Sequence, residues 1–204
     1  MGSYPVRDPR KDHLITPLNS TLVVIDYQPI QIDSVMSMDR KALIVNMGLL
    51  IDLAEVFGLP VILSTVNVRN DQNRETVPEI RSRLGNIPSY DRTTINAWED
   101  VEFNGAVKAT GRKKLIMAAL WTEACLAFPA LDALREGFEV YPVVDCVGGT
   151  SVLAHETALR RMERAGAQLT GLAQLACELQ RDWNRRETSF QFVDIMRKAG
   201  FFHG

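Results

Sequence analysis

Two kinds of hydrophobic pattern alternate along this chain between residues 21 and 198. Uninterrupted β-branched and aliphatic runs occupy residues 21–26 and 60–65, the second ending in small polar residues, and both are predicted to be buried parallel strands. Between them Leu43, Ile44, Met47, Leu50, Ile51, Leu53 and Ala54 recur at helical spacing. Asp39 caps this predicted helix, which runs through Phe57 and stops at Gly58. Residues 67–96 are polar and interrupted by Pro78, Gly85 and Pro88, which predicts a loop with a short helix over 79–84. The alternation then resumes: a helix over 99–110 closed by Gly111, a strand over 114–119, a helix over 122–136 closed by Gly137, and a strand over 139–144. A helix over 151–165 stopped by Gly166, a short strand over 167–169, and helices over 172–183 and 189–198 complete the pattern.

Strands that are apolar throughout indicate a parallel sheet covered on both faces. The expected fold is therefore α/β, a three-layer α/β/α sandwich around an open, mainly parallel sheet of about six strands. With 204 residues, 46% of them hydrophobic, one substantial core suffices. The chain is taken as a single domain over 1–204, with its core at about 18–183 and a C-terminal helical extension over 184–204.

Composition narrows the partners. A formal net charge of −2, with the arginines scattered rather than striped, gives no general attraction to nucleic acid or to an acidic membrane. Cys125, Cys146 and Cys177 form no C-x-x-C pair, which fits a reduced protein. The stretch from Met1 to Thr16 is polar, carries Pro5 and Pro9 and lacks the apolar core of a signal peptide, and no run reaches membrane-spanning length, so the expected compartment is the cytoplasm. Gly148-Gly149-Thr150-Ser151 lacks the lysine and spacing of a phosphate loop, and no cofactor or metal is expected. There is no G-x-S-x-G elbow, and His13, His155 and His203 lie outside any motif; His155 reads as a surface or capping residue.

In open parallel sheets the ligand site lies beyond the carboxyl ends of the strands. Asp26, Cys125, Asp145 and Cys146 occupy such places. Asp26 reads either as a turn residue or as a general base at the floor of a cleft. The apolar run over 115–126 delivers Cys125 where a helix begins, and free N–H groups with the helix dipole would favour thiolate over thiol there. The alternative for Cys125 is a small buried hydrophobe, while Cys177 reads as packing.

Val24-Ile25-Asp26-Tyr27-Gln28, Arg92-Thr-Thr-Ile-Asn96-Ala-Trp98 and Leu120-Trp121-Thr122-Glu123-Ala-Cys125 together resemble the isochorismatase-like cysteine hydrolases, over about residues 18–183. The segments at 95–98, 107–111, 125–131 and 176–183, the last ending in Trp183, are similar to the YcaC branch. The resemblance implies a catalytic triad of aspartate, lysine and cysteine, which Asp26 and Cys125 match. Arg92 stands where the superfamily usually has lysine, and a guanidinium that cannot readily exchange a proton leaves it an electrostatic role. The resemblance also implies a cis peptide at Leu120–Trp121 and an oxyanion hole made by the N–H groups of Trp121 and Cys125. The histidines of the nicotinamidase metal site are absent from residues 64–69, and a nucleophilic cysteine is not part of isochorismatase chemistry proper.

The resemblance thus leads to the expectation of a cysteine hydrolase that cleaves a small amide-like substrate through a thioester, with Gln28, Trp98 and Trp121 lining the substrate pocket. A homo-oligomer is implied. The competing expectation is a non-catalytic or redox-responsive oligomer that uses the same cleft and the same reactive cysteine.

Overall fold

The structure is a computed structural model that describes residues 7–202; the first six residues of the polar lead and His203 lie outside the described residues. The chain begins its sheet with β1 (Ser20–Ile25), whose six residues are all buried. A short helix, α1 (Pro29–Asp33), follows, and then α2 (Arg40–Val56), capped as expected by Asp39, whose carboxylate accepts the Ala42 N–H at 2.8 Å. Next come β2 (Val61–Val66), α3 (Pro78–Leu84), β3 (Ser89–Arg92), α4 (Val101–Ala109) and β4 (Lys114–Ala119). The chain ends with α5 (Ala127–Arg135), β5 (Glu139–Pro142), α6 (Val152–Arg164), α7 (Leu172–Gln180) and α8 (Arg186–Lys198).

The strands form one parallel sheet of five, in the order β3-β2-β1-β4-β5. The expected count of about six falls to five because residues 167–170 do not complete a ladder against β5. Gln168 and Thr170 donate to the Val140 and Pro142 carbonyls at 2.9 and 3.0 Å, and Val144 donates to Thr170 O at 2.8 Å. The bond that would alternate with these needs an N–H at residue 142, and proline has none. Only an isolated bridge, Val143 to Thr170, remains.

A second difference is β3, placed where the sequence predicted loop. Its residues, Ser-Tyr-Asp-Arg, are too polar to announce a buried strand, yet they pair with β2 from Leu63–Ser89 to Val66–Arg92 at the sheet edge. Edge strands tolerate such composition because one side faces no neighbour.

The third difference lies at the cysteine. The single helix expected over 122–136 is divided into a π turn, Thr122–Leu126, and α5. Leu126 N–H reaches back five residues to Trp121 O at 3.1 Å. Pro129 explains the division: it cannot donate to the carbonyl four residues earlier, at Cys125, but fits the first turn of a new helix.

β1 and β4 lie at the centre, every residue of both buried. α2 packs with α3, α7 and α8, while α5 packs with α6 and the turn that leads into α4. From β1 the sheet grows outward through β2 to β3, then the chain crosses back to lay β4 on the other side of β1. The crossovers thus diverge between β1 and β4, the place where an open sheet leaves a crevice at its carboxyl edge.

Candidate active site

Asp26 is the first residue past β1. Its backbone turns with φ of 62°, and its N–H is held by Ser64 O at 3.0 Å. An L-residue at positive φ is uncommon, and aspartate is among the types that tolerate it. The turn leaves the carboxylate fully buried, beneath the ends of β2 and β4.

Arg92, the last residue of β3, meets it there. Its two terminal nitrogens donate to the two Asp26 oxygens at 2.7 Å each, a fork-to-fork pair with both side chains excluded from solvent. One of them also reaches Ser64 Oγ at 3.1 Å and Thr65 O at 2.9 Å, and the other reaches Ile95 O at 3.3 Å. Arg92 Nε has no hydrogen-bond partner. Burial works against the cation, but the Asp26 hydrogen bonds and charge outweigh it and hold the guanidinium above its ordinary value. β3 itself is pinned by Asp91, whose carboxylate accepts from Thr65 Oγ1, Val68 N and Arg69 N.

Cys125, in the π turn beyond β4, is only 6% exposed and completes the cluster. Its thiol is pushed up to about 12, first by burial, then by the Asp26 charge and by its own hydrogen bond to that carboxylate. Arg92 and the Trp121 N–H pull the other way without prevailing. Burial and the Asp26 charge thus oppose the pull towards thiolate expected of a helix start and favour the neutral thiol. The peptide bond between Leu120 and Trp121 is cis. Trp121 is half-buried, and its indole Nε1 donates to Ser34 Oγ at 2.6 Å.

Asp26, Arg92, Cys125 and Trp121 are thus brought together, whereas two expected pocket residues are not available. Gln28 is fully buried; its amide donates to Val66 O and Arg74 O at 3.0 and 2.7 Å and accepts from Val66 N at 2.9 Å, so it clamps the loop after β2. Trp98 stacks edge-on against Phe103 and Phe138 and donates to Glu136 Oε1 at 2.9 Å, which makes it part of the packing under α5. Asp145 caps α7 through Leu172 N at 3.0 and 3.1 Å, and Cys146 is sealed, its thiol pushed well above the usual range by burial. Cys177, expected to pack, is exposed on α7.

Several supports of the site went unnoticed in the sequence. Ser64 and Thr65 hold Arg92, and the small polar ending of the second strand was the available signal. Glu123, two residues before the cysteine, ties down the neighbouring loop by accepting from Thr150 N and Oγ1 at 2.9 and 2.6 Å. Thr122 bonds His155 Nδ1 at 2.8 Å, so His155 braces the same turn. Among the described residues, no group of three histidine, cysteine, aspartate or glutamate side chains is placed to hold a metal ion.

Residues 20–174 match the isochorismatase domain. The chain belongs to the isochorismatase family. Within the isochorismatase family it stands in the YcaC-like branch: it is 39% identical over 166 residues, covering 81% of this chain and 79% of the relative, to the "Probable hydrolase YcaC" of Escherichia coli K12. The structure of YcaC from Pseudomonas aeruginosa with hexane-2,5-diol and covalent acrylamide aligns with a TM-score of 0.86 at 34% identity, over 97% of this chain and 94% of that one. The Escherichia coli YcaC structure, described as an octameric hydrolase of unknown specificity, aligns at 0.81 and 34% identity over 93% and 97%. The isochorismatase-like sheet order thus places an arginine–aspartate fork beside a cysteine at the switch point.

Proposed function

We propose that this isochorismatase-family hydrolase is a cysteine hydrolase that cleaves the C–N bond of a small amide-like substrate. The observation that carries the reading is the buried Arg92–Asp26 fork with the Cys125 thiol close enough to feel both charges. Asp26 takes the thiol proton as Cys125 Sγ forms a bond to the substrate carbonyl carbon. The N–H groups of Trp121 and Cys125 hold the tetrahedral oxyanion. The C–N bond breaks, the departing nitrogen takes the proton from Asp26, and a thioester remains. Water then attacks the thioester, giving up a proton through Asp26 to the sulfur, and the acid is released.

Arg92 stays protonated throughout and offsets the charge that passes between sulfur and carboxylate. A buried, protonated thiol suits this cycle better than the redox-responsive alternative, since oxidation-sensing cysteines are accessible and largely ionised. The covalent acrylamide on the Pseudomonas YcaC is consistent with a nucleophile in that relative. Because the Escherichia coli relative is octameric, we also read this chain as a homo-oligomer that acts as one hydrolase domain. Three free cysteines agree with a reducing compartment such as the cytoplasm. No helix among the described residues is long and apolar enough to cross a membrane.

The deciding experiment is an amide panel assayed for ammonia or amine release, with wild type beside Cys125→Ala. Release by wild type alone, with the acyl mass trapped on Cys125 in acid-quenched protein, is expected; equal rates from the two proteins would sink the mechanism.

A further inference from the structure

A π turn is an isolated wide ring that no regular helix continues, so the place of Cys125 depends on what grips the start of its turn. Thr122 opens that turn and is fully buried. Its N–H donates to Gly148 O at 2.9 Å, and its hydroxyl shares a hydrogen bond of 2.8 Å with His155 Nδ1. His155 stands near the start of α6, which packs on the π turn. Ser151 caps α6 by accepting from Ala154 N at 3.1 Å, and the His155 N–H donates to Ser151 O at 3.0 Å. A fixed helix start therefore aims the ring. Burial holds the imidazole below its ordinary value, against the pull of Glu123 and Glu156, so the ring that meets Thr122 is the neutral one. One hydrogen bond joins the two side chains in either tautomer. The loop between the turn and α6 is tightly confined: a Cβ on Gly149 would lie 2.5 Å from Glu123 Oε2 and 3.1 Å from His155 Cβ.

We infer that His155 is a positioning residue, which through Thr122 holds the turn so that the N–H groups of Trp121 and Cys125 converge on one oxyanion. The inference rests on the cysteine-hydrolase reading above and adds to it a residue that touches neither thiol nor substrate. Thr122 directly follows one donor and opens the turn that contains the other, so a bond at its side chain restrains both. The tie from Glu123 to Thr150 acts elsewhere: it lies on the exposed side and fastens the loop rather than the donors. A bond that only stabilised the fold would affect melting alone. A bond that aims the two N–H groups also sets how well they meet developing charge, where small misplacements are costly.

The test adds carbonyl-labelled propanal to the full chain. Addition forms a bond between Cys125 Sγ and the aldehyde carbon and moves the thiol proton to the former carbonyl oxygen, which takes the place of the oxyanion; nothing is oxidised and nothing leaves. Carbon NMR reads the hemithioacetal, and Cys125→Ala shows which signal belongs to Cys125. Alkylation of Cys125 by iodoacetamide, which develops no oxyanion, is the reference. His155→Leu and Thr122→Val are each expected to weaken the propanal adduct roughly tenfold or more with little change in alkylation. The two combined should cost no more than either alone, because they remove the same bond. His155→Asn, which places a hydrogen-bonding atom near the position of Nδ1, should recover the adduct. Thermal melting checks that each variant is folded; should His155→Leu fail that check, Thr122→Val decides, with Thr122→Ser as the rescue. A wild-type adduct in the folded variants, additive losses, or an equal fall in adduct and alkylation would each overturn the positioning role and leave the cysteine-hydrolase reading standing. A wild type that is alkylated at Cys125 but adds no propanal would overturn both.

Discussion

Arg92 holds Asp26 by both carboxylate oxygens, at 2.7 Å each, in a place where neither side chain touches water. The pair is the floor of the proposed site, and the cysteine rests against it. A buried ion pair of this geometry contributes little net stability while intact, but removing one partner strands the other charge.

Arg92→Met is therefore expected to lower stability by about 3–5 kcal/mol, read from urea unfolding, and to abolish turnover. Arg92→Lys keeps the charge but only one arm of the fork. It should fold and retain kcat/KM within roughly tenfold of wild type, because the role assigned to residue 92 is electrostatic. A dead, folded Arg92→Lys would show that the fork geometry itself is required.

Asp26→Asn separates two roles of one carboxylate. Without its charge the thiol loses a neighbour that keeps it protonated, so alkylation of Cys125 by iodoacetamide near pH 8 should be faster than in wild type. Hydrolysis, which needs the proton acceptor, should fall by 100-fold or more, about the scale of a lost general base. Slower alkylation together with slower hydrolysis would place Asp26 as a thiolate stabiliser instead.

The raised thiol also links to stability. An unfolded cysteine ionises at 9.0 and the folded one at about 12. The unfolded state therefore releases its proton first as pH rises. The contribution is complete below pH 9 and is progressively lost between about 9 and about 12. Wild type should lose more unfolding free energy across that window than Cys125→Ala, whatever other groups titrate in both. Parallel curves would mean that the folded thiol is not shifted.

Gln28→Ala removes three backbone hydrogen bonds that fasten the loop after β2. The expected cost is about 1–3 kcal/mol of stability, since buried backbone groups lose their partner. Gln28→Glu should recover part of that stability at low pH, where a protonated carboxyl restores one of the two donated bonds and still accepts from Val66 N. A KM defect specific to one substrate, without loss of stability, would return Gln28 to the pocket.

Much of the layered architecture could be read from hydrophobic pattern, because β1 and β4 are buried on both faces and their sequences contain little else. The strand over 114–119 and the Asp39 cap coincide with what the residues predict. β3 was illegible for the opposite reason: as an edge strand it has no need of apolar residues, and its Arg92 shows a role only once Asp26 is beside it. The missing sixth strand turns on one absent N–H, at Pro142, which a pattern of apolar positions cannot register. At the site, residue types located Asp26 and Cys125, whereas burial, which works against the dipole at the thiol, is a property of the packed fold. Gln28 and Trp98 belong to the motifs themselves, but their side chains turn to the loop after β2 and to the packing under α5.

The four-residue β3 hangs on β2 alone, yet it delivers the cation on which the rest of the floor depends. Short margins of a sheet open at lower free energy than its middle. Mild denaturant should accordingly silence the protein while its central strands still exclude solvent, so that competence is lost by fraying at one border before the body melts. The periphery of this fold, rather than its heart, then sets the conditions under which the cysteine has a working neighbour.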